Sequence, residues 1–190
     1  MSSTYDIAGL DLHDDSYEVV QSLIRNKYKA TDSHGNVVLR GKQKLFKMKE
    51  EFPFVGADGE EVLTVKAGGI IDVAGNYVLS DAQTGEDVVV LDNDFSVFRD
   101  VWTIRDPGGE ALAEIRSRGA LVTLARAYVP FGALIPHRYE ITDPSGGHVG
   151  NIAGKFSLKD RYEITIDDAS AVPEEAVVAA AMVIDAIQNN

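Results

Sequence analysis

The sequence contains no cysteine among its 190 residues, which excludes disulfides, thiolate metal sites and a cysteine nucleophile. The first fifteen residues, MSSTYDIAGLDLHDD, also lack the basic start and the apolar core of a signal peptide. We therefore expect a cytoplasmic protein, and one that can lie at the periphery of a membrane.

Basic residues are scarce as well. Eighteen lysines and arginines stand against thirty acidic residues, which gives a net charge of -12. Such an excess disfavours nonspecific nucleic-acid binding, so no nucleic-acid partner is expected. The acidic composition favours adaptation to high salt, although an acidic protein from a low-salt habitat has the same composition.

The few basic residues are concentrated in one part of the chain. Residues 25–49 carry a net charge of +7 against -19 for the remainder, because Asp32 is their only acid. Two interpretations stay open: a site for anionic lipid headgroups or a protein partner, and a solvated strand pair whose lysines protect a sheet edge. The basic residues concerned are Arg25, Lys27, Lys29, Arg40, Lys42, Lys44, Lys47 and Lys49.

Catalytic motifs are missing from the sequence. There is no GxSxG elbow, no P-loop and no HExxH helix, and the four histidines are not spaced as metal ligands. Asp92 and Asp94 alternate as at the start of a calcium loop, but Val97 and Thr103 occupy the positions that need Gly and Glu. We therefore nominate no catalytic residue, expect no cofactor, and keep the two aspartates only as weak metal candidates.

A weak repeat organises most of the chain. Four segments place an aromatic residue four positions before an Asp, with Gly within four positions after it: YKATDSHG, YVLSDAQTG, WTIRDPGG and YEITDPSGG. The aromatic residue and the residue two positions before the Asp lie on one strand face, and the Asp and Gly predict a turn. The aromatics Tyr28, Tyr77, Trp102 and Tyr139 are therefore predicted to pack inside a sandwich or a barrel.

The C-terminal segment AVVAAAMVIDAI, residues 176–187, has Asp185 as its only polar residue. A helix that is hydrophobic on every side must be buried, and Pro173 followed by two glutamates marks its start. It would extend over about 18 Å, whereas a bilayer core is about 30 Å thick, so we expect no transmembrane span. The composition predicts a helix over residues 173–188 that fills a closed barrel; a partly filled lumen would instead leave an apolar ligand pocket.

These hairpins, the early segment RNKYKATDSHGNVVLRGKQKLFKMKE and the terminal helix together resemble the LURP-one-related family over residues 17–188. That family shares the tubby C-terminal-like fold with phospholipid scramblases. The resemblance implies a closed antiparallel barrel of about twelve strands around one C-terminal helix, formed by residues 17–190 after an extension at 1–16. It also implies a non-enzymatic binding or scaffold domain. A carrier of a small apolar ligand and an uncharacterised hydrolase are the alternatives.

Overall fold

The computed structural model describes residues 7–22, 27–42, 52–67, 77–96, 99–117, 138–155 and 161–188. Twelve antiparallel strands form a closed barrel in which each strand pairs with its neighbours in the sequence, and the first strand pairs with the last. The predicted fold class, a closed barrel with one C-terminal helix, is confirmed. The strands are β1 (Ser16–Ser22), β2 (Lys27–Asp32), β3 (Val37–Lys42), β4 (Phe52–Val55), β5 (Glu61–Ala67), β6 (Tyr77–Asp81), β7 (Asp87–Ser96), β8 (Arg99–Arg105), β9 (Ala111–Ser117), β10 (Arg138–Thr142), β11 (His148–Lys155) and β12 (Arg161–Ile166).

Five hairpin turns lie at one end of the barrel, because strands that alternate in direction return to the same end after every second strand. The repeated Asp anchors four of these turns, and Gly56 takes its place in the turn at 56–60. Asp143 shows the pattern: its backbone N–H donates to the Gly147 carbonyl, and its Oδ1 accepts from the N–H of Ser145 and of Gly147, both at 2.8 Å. The turn glycines adopt positive φ values, which glycine reaches without steric cost. They are Gly35, Gly59, Gly85, Gly109 and Gly146, with φ of 83°, 91°, 76°, 90° and 88°.

The predicted aromatic repeat packs inside the barrel. Tyr28, Trp102 and Tyr139 are buried, and Tyr77 lies against Trp102 with ring centroids 6.2 Å apart. The residues two positions after each aromatic are fully buried too: Ala30, Leu79, Ile104 and Ile141. Period-two alternation therefore directs both members of each pair toward the axis, as expected.

The helix α1 (Glu174–Gln188) occupies the lumen. Each residue from 176 to 184 is at most 4% exposed, so no side of this part of the helix faces water. The helix contacts both β8 and β12, which lie four positions apart around the barrel, and the Tyr162 hydroxyl donates to the Ala181 carbonyl at 3.2 Å. The apolar segment is thus enclosed by the sheet that precedes it.

Residues 7–15, part of the predicted extension, cover the end of the barrel at which the turns lie. Ile7, Leu10 and Leu12 are buried in the same core as the helix. The Leu12 N–H donates to Glu175 Oε1 at 2.9 Å, which ties this segment to the first turn of α1. The boundary between extension and barrel at residue 16 remains a proposal.

Candidate functional site

The strand pair β2–β3 carries the described part of the predicted basic site. In the register of the two strands, Lys27 lies opposite Lys42, and Lys29 lies opposite Arg40. Residues directly opposite each other share a face, and the inward position between the two lysines is the buried Tyr28. Lys27, Lys29 and Arg40 therefore lie on the outer face of the wall, and Lys42 holds the strand position opposite Lys27.

Gly41 separates Arg40 from Lys42 in β3 and occupies an inward position that has no room for a side chain. A Cβ atom on Gly41 would lie 2.6 Å from Cε1 of the Phe54 ring, which is a distance that real Cβ atoms do not reach. Phe54 is itself 2% exposed and fills the space that a side chain at position 41 would take. The local sequence Arg-Gly-Lys thus places glycine toward the core and Arg40 on the outer face.

The environments of these basic residues differ. Arg40 is half-buried, and its Nη1 donates to the carbonyls of Gly56 and Ala57 at 3.1 and 3.3 Å. Lys27 and Lys29 are exposed, and no carboxylate of the described residues forms an ion pair with either of them. For Lys42 the structure describes only the strand position. Four members of the predicted set lie outside the described residues: Arg25, Lys44, Lys47 and Lys49.

Two further basic residues extend this face, and sequence reasoning missed them. Lys155 of β11 pairs with Arg161 of β12, Arg161 pairs with Val20 of β1, and Val20 pairs with Lys29. A single row around the wall therefore reads Lys155, Arg161, Val20, Lys29, Arg40. The row depends on pairing between the first and last strands, for which the local sequence contains no signal.

Two carboxylates partly neutralise the new members of the row. Lys155 Nζ lies 3.7 Å from Glu18 Oε1 and 3.4 Å from Glu163 Oε1, and Arg161 Nη1 lies 3.7 Å from the same Glu18 oxygen. All four side chains are between 32% and 43% exposed, so solvent screens these pairs and each contributes little to stability. Within the row, Lys29 is therefore exposed and without a carboxylate partner among the described residues, in contrast to Lys155 and Arg161.

The weak metal candidates gain no support from the geometry. Asp92 Oδ2 accepts a hydrogen bond from Arg105 Nε at 3.0 Å in a partly exposed ion pair. The side chain of Asp94 lies outside the described residues. A calcium site at this pair therefore stays a prediction.

A second acidic group was not anticipated from sequence. Asp14, Asp32 and His34 bring possible ligand atoms within 4.8 Å of one another. The carboxylates already accept hydrogen bonds: Asp14 Oδ2 from the Ser33 N–H at 2.8 Å, and Asp32 from Asn36 Nδ2 at 2.8 Å and two backbone N–H groups. These bonds lower the pKa of both aspartates, that of Asp14 through Ser33 and that of Asp32 through Asn36. The group functions as a turn anchor in this geometry.

The start of α1 contains the carboxylate with a raised pKa. The Tyr17 hydroxyl donates to Glu174 Oε2 at 2.8 Å and accepts from the Asp14 N–H at 2.8 Å. Burial raises the pKa of Glu174, although the bond from Tyr17 acts in the opposite direction, and burial also raises the pKa of Tyr17. Each polar atom of this contact serves to fasten residues 7–15 to the helix.

Comparison with known proteins identifies a family and a solved structure of similar fold. A family model described as LURP-one-related matches residues 37–185, from the start of β3 into α1. A solved structure of a protein from Arabidopsis thaliana is similar at 12% identity, with a TM-score of 0.56 and 92% of each chain covered. Identity at that level supports the fold alone. No curated protein matches the sequence. Within the described residues, no helix combines the length and hydrophobicity required to cross a bilayer.

Proposed function

The chain belongs to the LURP-one-related family, and from this premise we propose that it is a non-enzymatic binding domain for anionic phospholipid headgroups. The proposed contact is the outer face of β2 and β3. Ammonium groups attract anionic lipids with roughly 1 kcal/mol per basic residue close to the surface, so a few such groups suffice for weak, reversible association. The protein would then divide between cytoplasm and membrane surface.

The observation that carries the proposal is the pairing of basic residues across β2 and β3. Like charges directly opposite each other on a sheet destabilise it, so the arrangement does not serve the fold. Edge protection, the other interpretation of these lysines, is also poorly supported for Lys27 and Lys29 of β2. Strand β2 is paired along both sides, with β1 and with β3, and has no open edge to protect.

The alternatives have less support. A carrier of an apolar ligand needs an empty lumen, whereas residues 176–184 of α1 fill the axis. A hydrolase needs a perturbed acid that is accessible to a substrate. Glu174, the carboxylate with a raised pKa among the described residues, is instead bonded to Tyr17 beneath residues 7–15. An acidic protein partner would fit the same basic face, and vesicle sedimentation distinguishes such a partner from lipid.

The test is vesicle sedimentation with phosphatidylcholine alone and with phosphatidylserine added, across a salt series. We expect wild-type protein to sediment only with the anionic vesicles and to be released by salt, because salt screens exposed charges. The double variant Lys27→Gln/Lys29→Gln should bind roughly thirtyfold more weakly, given about 1 kcal/mol for each residue.

A control variant changes the net charge equally at another place. Gln83→Glu/Ala169→Asp adds two negative charges at exposed positions near the turns and should retain vesicle binding. Equal loss of vesicle binding in both double variants would show that net charge alone, and not the position of the lysines, determines binding. Absence of wild-type binding at low salt would refute the lipid proposal and leave an acidic protein as the partner to seek.

A further inference from the structure

The charges of this protein are segregated along the barrel axis. We define the turn end as residues 7–15, the turns 32–36, 56–60, 81–86, 106–110 and 143–147, and residues 167–175. These segments contain fifteen aspartates and glutamates and no lysine or arginine. Half of all acidic residues in the chain therefore lie at one end of the barrel.

The opposite end of the wall has the reverse sign. We define the basic rim as the two residues of each strand that lie farthest from the turn end. Among these twenty-four positions, Asp100 is the only acid, so the rim carries a net formal charge of +7. Its eight basic residues come from eight different strands: Lys27, Lys42, Lys66, Arg99, Arg116, Arg138, Lys155 and Arg161.

The acidic end does not cancel the attraction of the rim at physiological salt. Strands of six or seven residues, tilted as in other barrels, separate the two ends by about 16 Å. This is roughly twice the Debye length of about 8 Å at 0.15 M ionic strength. A membrane that touches the rim is therefore screened from most of the repulsion by the turn end, despite the net charge of -12.

Many carboxylates of the turn end are also engaged within the protein. Asp143 accepts from Ser145 and Gly147, and Asp81 accepts from the backbone N–H groups of Gln83 and Thr84 at 2.7 and 2.9 Å. On the rim, Arg138 is exposed, and no ion pair joins it to a carboxylate in the described part of the chain. These acids organise turns, whereas Lys27 and Arg138 at the other end face solvent.

From this segregation we propose that the protein docks on an anionic membrane end-on, with the basic rim against the headgroups and the turn end pointing away. The inference rests on the proposed lipid function and extends it: the contact is a ring of basic residues from strands all around the barrel. The strand pair β2–β3 is one sector of that ring. Arg138 of β10, on the far side of the barrel, belongs to the same contact.

The decisive variant is Arg138→Gln, tested in the same sedimentation assay on vesicles of phosphatidylcholine with phosphatidylserine. End-on docking predicts about fivefold weaker binding, the effect of one basic residue near the surface. Arg105→Gln is the matched control, because Arg105 ends β8 at the turn end and its loss changes the net charge equally. The control should bind as wild type does.

A second measurement determines the orientation directly, and the absence of cysteine makes it clean. Single-cysteine variants Ser117→Cys, at the rim, and Ser145→Cys, at a turn, carry a fluorescent donor, and the bilayer carries the acceptor. End-on docking predicts strong energy transfer from position 117 and weak transfer from position 145. Equal transfer, or stronger transfer from position 145, overturns the orientation.

The two proposals fail in different ways. If wild-type protein binds no vesicles, the lipid function itself is wrong. If it binds, and Lys27→Gln/Lys29→Gln weakens binding while Arg138→Gln does not, the strand pair docks side-on and only the rim proposal is refuted.

Discussion

The two ends of the barrel use charged residues for opposite purposes. At the turn end, carboxylates accept hydrogen bonds from neighbouring side chains and from backbone N–H groups, and such bonds lower the pKa of Asp14, Asp32, Asp81 and Asp143. For Asp81 they do so although burial alone would raise its pKa. At the basic rim, Lys27 and Arg138 project into water without a described carboxylate partner. The acids, which dominate the net charge, thus include many that hold turns in place. Lys27 and Arg138, which belong to the less numerous basic residues, are exposed to solvent.

The largest effect on stability should come from removing α1, the helix enclosed between the two ends of the barrel. Deleting residues 173–190 should abolish folding, because nine buried helix residues would leave an empty lumen. At about 1 kcal/mol or more for each apolar residue, the nine residues contribute about 9 kcal/mol or more. This loss is comparable with the 5–15 kcal/mol by which domains are typically stable. Circular dichroism and thermal melting provide the measurement. A soluble truncation with a cooperative transition would show that the barrel stands without its helix.

Two tyrosines allow the anchoring of the helix to be compared between the ends. Tyr17→Phe removes the hydroxyl that donates to the Glu174 carboxylate, and should cost about 2 kcal/mol, as for hydrogen bonds to charged groups. Tyr162→Phe, on the strand that begins at the rim, removes a bond to the Ala181 carbonyl and should cost about 1 kcal/mol. Urea denaturation of both variants measures the difference. A larger loss for Tyr162→Phe would place the stronger anchor at the rim.

The smallest effects should appear in the pH dependence of stability. Within the turn end, substitutions of Glu174 and Asp143 should change this dependence in opposite directions. Burial raises the pKa of Glu174 in the folded state, so its ionisation opposes folding as pH rises through that pKa. Glu174→Gln should therefore gain stability relative to wild type between about pH 4.5 and pH 7. Chemical denaturation at the two pH values provides the comparison.

Asp143 provides the contrast to Glu174. The bond from Ser145 lowers the pKa of Asp143 below the ordinary value of 3.8, so its contribution is present above that value and is lost as pH falls through the folded pKa. The stability deficit of Asp143→Asn should thus be largest near neutral pH and shrink at about pH 3. Parallel pH responses in the two variants would contradict the assignment of opposite roles.

Much of the fold follows from local signals in the sequence. The spacing of an aromatic residue and an Asp predicts the inward pairs Tyr28 with Ala30 and Trp102 with Ile104, because both period-two alternation and turn chemistry act over a few residues. The burial of α1 follows from the absence of any polar stripe. These parts of the structure depend on neighbours in sequence, which a single sequence displays.

The remaining parts depend on distant pairings. Arg161 and Lys155 join the basic row only because β1 pairs with β12, and the core role of Leu10 depends on where residues 7–15 lie in space. The charge excess at residues 25–49 predicted one polarised face. The rim became apparent only once eight strands had brought their basic residues to the same end.

Enclosure of the C-terminal helix has a consequence for biosynthesis. The ribosome releases α1 after the strands β1 to β12, yet this segment must occupy the space that those strands surround. The register partners Val20 and Arg161 are likewise separated by most of the strands, so β1 cannot pair with β12 until late in translation of the barrel. Until α1 has emerged, the nascent chain therefore carries an unfilled, open sheet, and such exposed apolar strands are the kind of surface that chaperones bind. Closure of the barrel around α1 accordingly follows synthesis of the strands.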